Sequence, residues 1–400
     1  MASMEGLRID RSLIPTQPRD VERFLKSDSC PVDTSLPPGF PKVVDSKTAW
    51  SGENAKFDPS TEQHTLILSE AEIGELEEGC RMFKELNLPF DAVSEKTLPL
   101  PTLSAKLKAW ASELTQGVGF FRIRGLNPQQ YSSEKNILMY LGICAYVAEK
   151  RGMQDERGNM LLHLTDVGPQ NAGINERQAP YSNISQPYHT DAGGLIALYS
   201  LGQAETGGNS QLVPMATVYN EIAATRPDII RLLASHTWVF DSFGLTPAYN
   251  VRPLLYPLKD GKVMFAFARR PLLGSSQSPR SEGVPELSDA HVEALNAVQF
   301  VAAKHALSTS LPVGEMLFWN NLSMLHSRQG FTDGGAGKRR HLIRLWLCNE
   351  ATLSGWSIPE EIKAGWDDAF ELDGREQKWP LDPITDREFI TYQARASGHD

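Results

Sequence analysis

Histidine and aspartate stand two positions apart in Pro187-Tyr188-His189-Thr190-Asp191-Ala192-Gly193-Gly194, offering one imidazole and one carboxylate to a metal. On a β-strand, residues two apart point to the same face, so the two side chains would converge. A third ligand stands far downstream: His326, which closes the stretch Phe318-Trp319-Asn320-Asn321-Leu322-Ser323-Met324-Leu325-His326. Two neutral imidazoles and one carboxylate on one face of a metal leave open positions, the arrangement that suits non-haem Fe(II) and oxygen chemistry. Taken alone, His-x-Asp is equally compatible with a turn. Ala192-Gly193-Gly194 adds small residues that would leave space at the metal.

Two arginines, Arg340 and Arg344, lie 14 and 18 residues beyond His326, in Lys338-Arg339-Arg340-His341-Leu342-Ile343-Arg344-Leu345-Trp346. As part of a strand both share one face with Leu342, while His341, Ile343 and Leu345 take the other. Guanidinium groups aimed into a protein interior need anions, because an unpaired buried charge costs on the order of several kcal/mol. A dicarboxylate cosubstrate or an acidic substrate satisfies that need; internal Asp or Glu residues are the structural alternative.

With these residues in place, the chain resembles the taurine dioxygenase (TauD/TfdA-like) family of Fe(II)- and 2-oxoglutarate-dependent oxygenases, which includes clavaminate synthase-like enzymes. The resemblance spans roughly Gly119 to Leu347. Gly207-Gly208-Asn209-Ser210 is similar to the family's Gly-Gly-x-Thr turn, with serine where threonine is more familiar. The resemblance implies that His189, Asp191 and His326 ligate iron, that Arg340 and Ser210 hold the distal carboxylate of 2-oxoglutarate, and that Arg344 binds substrate. It further implies a jelly-roll core, O2 as co-reactant, release of succinate and CO2, and a place in secondary metabolism. Hydroxylation, desaturation and ring closure all stay open.

Asn183, Tyr188 and Trp319 flank the candidate ligands; Asn183 and Tyr188 are candidate substrate contacts, with packing as the alternative. His163 and Asp166, three apart, fall on opposite strand faces. His236, His291, His305 and His399 have no partnered acids nearby and read as surface or core histidines. Gly334-Gly335-Ala336-Gly337-Lys338 lacks the spacing of a phosphate loop and reads as a turn. Two other function classes fit part of the pattern: a catalytically inactive metal-binding jelly-roll sensor, and a zinc-dependent hydrolase using the same ligands with an activated water. Neither accounts for the paired arginines.

The elements that must position these residues follow from periodicity. Ser69 and Glu72 form a capping-box signature opening a peripheral helix through Ile73, Leu76, Met82 and Leu86. Further helices are expected from Ser104 to Gly117, Ser132 to about Lys150, Val218 to Ala224, Pro227 to Ala234 and Ser288 to Leu307. Gly119 to Leu126 reads as a strand, as do Leu161 to Val167, Gly194 to Leu201, Trp238 to Phe240, Val263 to Ala268, Glu315 to Trp319 and His341 to Leu347. Many short strands broken by turn residues imply a jelly roll. The expected class is α+β: residues 1–100 an N-terminal extension with a peripheral helix, 101–350 a jelly-roll oxygenase domain, and 351–400 a tail packed on the core.

The 400 residues are 41% hydrophobic and 22% charged, as in soluble globular proteins. A formal net charge of −10 with no long basic stripe argues against a nucleic-acid partner and leaves a small-molecule substrate. Cys30, Cys80, Cys144 and Cys348 are scattered and read as reduced thiols. Without a signal-like N-terminus or a run of eighteen apolar residues, a cytosolic protein with no membrane partner is expected, of unspecified oligomeric state.

Overall fold

The computed structural model describes residues 35–52, 62–275, 277–335 and 337–391. Two facing sheets make the core. The larger has seven strands, in the order β1 (Thr65–Ile67), β2 (Phe120–Arg124), β14 (Met316–Asn320), β6 (Leu195–Gly202), β17 (His341–Cys348) and β3 (Lys150–Gly152), with β4 (Leu162–Thr165) also on β17. The smaller runs β13 (Leu307–Thr309), β8 (Ser210–Pro214), β15 (Met324–Arg328) and β5 (Gln186–His189). All pairings in both sheets are antiparallel except β1 with β2. Three short ribbons complete the strands: β7 (Thr206–Gly207) with β16 (Phe331–Thr332), β9 (Trp238–Asp241) with β10 (Tyr249–Arg252), and β11 (Leu255–Pro257) with β12 (Val263–Phe265). This is the expected jelly roll with flanking helices.

Alternation along each strand sorts side chains into layers. Ile196, Leu198, Leu317, Trp319, Leu342 and Trp346 of the larger sheet meet Leu212, Leu307 and Met324 of the smaller. The intervening residues Ala197, Tyr199, Phe318, Ile343 and Leu345 face outward under helices α1 (Glu70–Glu85), α2 (Leu103–Gln116) and α3 (Ser133–Val147). Behind the smaller sheet, Tyr188, Val213 and Leu325 pack beneath α4 (Met215–Thr225), α5 (Pro227–Leu233) and α7 (Asp289–His305), with the short α6 (Arg270–Leu273) beside them. Both outer faces are thereby buried, which is why the strands read as near-continuous apolar runs.

The capping box at Ser69 and Glu72 is formed and opens a helix on the outside of the helix layer, with Met82 and Leu86 exposed to solvent. Leu76, Cys80 and Phe83 of α1 are buried in the helix layer, and β1 just before it extends the larger sheet. After β17 come α8 (Glu350–Leu353), α9 (Glu360–Phe370) and α10 (Arg387–Ile390), and Ala369 reaches the layer between the sheets. Cys80, Cys144 and Cys348 are buried free thiols; Cys30 lies outside the described residues. Among the described residues, no helix is long and apolar enough to cross a membrane.

Candidate metal centre

β5 ends at His189, so Asp191 does not share its strand. A turn brings it round instead. Thr190 donates its N–H to the Phe267 carbonyl (2.9 Å) and accepts the Phe267 N–H at Oγ1 (3.0 Å). The Asp191 N–H donates to Asn321 Oδ1 (3.2 Å), while Asn321 Nδ2 donates to the carbonyls of Asp191 (2.8 Å) and Gly193 (2.7 Å). Gly193 and Gly194 do not leave open space: a Cβ on Gly193 would lie 2.9 Å from Trp346 Cβ, and one on Gly194 2.9 Å from Trp366 Cη2. They are small because two tryptophans press against the turn.

His326 sits in the middle of β15, in register with His189 on β5, with ring centroids 4.1 Å apart. The apolar strand before it, β14, belongs to the other sheet, and residues 320–323 carry the chain across. His189 Nε2 lies 3.8 Å from Asp191 Oδ1, and His326 Nε2 lies 3.8 Å from Asp191 Oδ2. The three donor atoms all fall within 4.8 Å of one another.

The electrostatics suit a cation. His189 Nδ1 bonds the Pro187 carbonyl (2.9 Å), which fixes the proton there and leaves the Nε2 lone pair available. Burial, reinforced by the charge of His189, drives the His326 imidazole well below its ordinary pKa, so it is neutral. Burial opposes ionisation of Asp191, but the Arg344 guanidinium, His326, His189 and the Trp346 N–H together bring its carboxyl to about 2. Two imidazole nitrogens and one carboxylate, buried and convergent, fit a divalent iron ion.

Arg340 points into the same interior. Its Nε donates to the Gly208 carbonyl (3.2 Å), its backbone N–H donates to Asp333 Oδ1 (2.8 Å), and its guanidinium lies 5.3 Å from the Phe331 ring. Nη1 is buried without a partner among the described residues, and burial lowers the guanidinium to about 10. An orphaned buried donor of this kind fits a ligand carboxylate. Gly208 is required here: its φ is +74°, and a Cβ would meet Arg340 Cδ at 2.8 Å. Ser210, buried, opens β8 opposite Arg328.

Arg344 does not stand open to a ligand on all sides. Its Nη1 donates to Asp191 Oδ2 (2.9 Å) and its Nε to Gln154 Oε1 (2.9 Å), while Trp346 Nε1 donates to the same Asp191 oxygen (3.1 Å). Asn183 is half-buried at the Phe331 edge, where its carbonyl accepts the Phe331 N–H (3.1 Å). Tyr188 is not brought to the site: the alternation that turns His189 inward turns Tyr188 outward beneath α7, where its N–H donates to Gln299 Oε1 (3.1 Å).

Sequence reasoning passed over Trp346, Gln154, Asn321 and Arg328. Trp346 carried a usable signal, being two residues beyond Arg344 on one strand face. Gln154 carried none. Arg328, two beyond His326, donates to the carbonyls of Ser182 (3.0 Å) and Ile184, anchoring the segment that holds Asn183. His236 and His305 do have acidic partners, Glu361 and Glu221, both far away in sequence; His399 lies outside the described residues. Behind the ligand turn lies a cavity of about 610 Å³, lined by Thr190, Asp191 and Ala192, by the β10 and β12 ribbons, and by Ile358, Ile362 and Trp366 in and before α9.

Residues 83–346 match the family described as taurine catabolism dioxygenase TauD, TfdA family. The taurine hydroxylase-like protein SAT17 of Stachybotrys chartarum is 32% identical over 349 residues, covering 85% of this chain and 89% of that protein. Among solved structures, asparagine oxygenase in complex with Fe(II), 2S,3S-3-hydroxyasparagine and succinate superposes with a TM-score of 0.53 at 15% identity, over 71% of this chain and 93% of that one. The non-heme iron oxygenase OrfP in complex with Fe gives 0.51 at 15% identity, over 74% and 97%. At these identities the two structures speak for the fold, while the family match rests on the sequence. The chain belongs to the TauD/TfdA family of dioxygenases.

Proposed function

We propose that this non-haem Fe(II)/2-oxoglutarate dioxygenase oxidises an unactivated C–H bond of a small, acid-bearing substrate of amino-acid type, releasing succinate and CO2. The observation that carries this is the convergence of His189, Asp191 and His326 on one point, with the orphaned Arg340 guanidinium in the same interior. In this reading the triad holds iron, Arg340 and Ser210 take the distal carboxylate of 2-oxoglutarate, and Arg344 and Asn183 contribute to the substrate side. Iron with bound 2-oxoglutarate supplies the oxidising power, drawn from O2 and the decarboxylation. The chain's own residues do the rest. His189 and His326 present ring nitrogens, Arg340 orients an anion, and the two packed sheets exclude water. Asparagine oxygenase, of the same fold, is known with a hydroxylated amino acid bound, which is consistent with the substrate class. A cytosolic setting and a role in secondary metabolism belong to the same proposal.

An anaerobic titration tests it. Fe(II) and 2-oxoglutarate added without oxygen are expected to give a visible charge-transfer band, and admitting oxygen is expected to yield succinate. His189→Ala should lose both. A metal-replete wild-type protein with no band and no succinate would remove the proposal, and a zinc-dependent hydrolase would then be the better account.

A further inference from the structure

We infer that Arg344 is a positioning residue for the metal centre, holding the Asp191 carboxylate in its ligating orientation, with Trp346 as its partner. This rests on the reading of His189, Asp191 and His326 as the metal ligands. Arg344 Nη1 and Trp346 Nε1 both donate to one oxygen of Asp191, Oδ2, at 2.9 and 3.1 Å. They are alternate residues of β17, so strand geometry aims both inward, and the Trp346 side chain packs between the sheets. The guanidinium is itself fixed from behind. Its Nε donates to Gln154 Oε1 (2.9 Å), and Gln154 Nε2 donates to the carbonyls of Met160 (3.1 Å) and of Arg344 itself (2.8 Å).

The Asp191 side chain is therefore gripped at one oxygen while its backbone is gripped by Asn321. Two donors on Oδ2 restrain the carboxylate so that Oδ1 lies 3.8 Å from His189 Nε2 and Oδ2 lies 3.8 Å from His326 Nε2. Groups that hydrogen-bond a metal ligand typically alter metal affinity 10- to 100-fold. An arginine that served only to bind a substrate acid would leave metal affinity untouched.

The test is titration of metal-free full-length protein with Co(II), in the absence of substrate and 2-oxoglutarate, following the visible d–d absorption. Arg344→Gln is expected to raise the Co(II) Kd roughly tenfold or more and to shift the band shape. Arg344→Lys should recover part of the affinity, because it keeps the charge but not the fork. Trp346→Phe and Gln154→Leu, which spare Arg344, should each weaken binding less. They cover the case in which Arg344→Gln fails to fold, which circular dichroism of the metal-free variants reveals. A Co(II) Kd within twofold of wild type in folded Arg344→Gln or Trp346→Phe, with only the substrate KM raised, overturns the inference. If wild type binds no Co(II), or His189→Ala binds it as tightly as wild type, it is the ligand assignment that fails instead.

Discussion

Arg340 is the residue whose chemistry the protein leaves unfinished. Its guanidinium is buried, has a donor without a partner among the described residues, and stands beside an aromatic ring. Removing one member of a buried hydrogen-bonded charge pair costs about 2–5 kcal/mol. Arg340→Gln should therefore raise the KM for 2-oxoglutarate on the order of 100-fold while leaving Co(II) affinity near wild type; an unchanged KM would exclude Arg340 as the cosubstrate anchor. This residue was legible from its spacing beyond His326, although β17 begins one residue later, at His341, with a register shift before Leu342. Tyr188 was misread, since period two sends the neighbour of an inward histidine outward. Asp191 was placed on a strand that stops two residues earlier; the residues that turn it inward, Asn321 and Phe267, are far away in sequence and carry no local signal.

At the scale of elements, the turn between β14 and β15 does the positioning. Residues 320–323 leave one sheet and enter the other, and Asn321 within them bonds three backbone groups of the Asp191 turn. Asn321→Ala would leave those groups without their partner at a cost of about 2 kcal/mol. The expected result is a lower urea midpoint together with weaker Co(II) binding; loss of stability with wild-type metal affinity would reduce Asn321 to a packing role. Helices and long strands were readable from periodicity, and the observed bounds of α2, α4, β6 and β17 lie close to those expected. The short strands β5, β8, β13 and β15 were not, because each has only three to five residues and takes its sheet partners from distant segments. Met82 and Leu86 were read into the apolar face of α1 but are exposed, because the buried face runs through Leu76, Cys80 and Phe83.

Across the whole molecule, the tail is tied to the core through a histidine pair, His163 buried and His341 half-buried. His163 Nδ1 and His341 Nε2 are 2.7 Å apart, and His163 Nε2 bonds the Pro380 carbonyl (2.9 Å). Burial first, then the charges of His163 and Arg339, lower the His341 imidazole to about 3. In the unfolded chain it titrates near ~6.5. Between these values the unfolded chain binds the proton and the folded one does not, so stability is complete above about pH 6.5 and falls as pH drops toward 3. A slope on the order of 1 kcal/mol per pH unit is expected in that window. Melting curves from pH 7.5 to 4.5 should show it, and His341→Gln should flatten it; an equally steep decline in the variant would assign the acid sensitivity elsewhere.

The cavity beside the ligand turn is lined in part by two segments of different origin. Thr190, Asp191 and Ala192 belong to the metal-binding turn, whereas Ile358, Ile362 and Trp366 come from beyond the segment that matches the family. These latter residues form one contiguous stretch. A chimera that exchanges only residues 356–370 with a relative's would recast one side of the chamber while the ligand-bearing strands kept their own sequence.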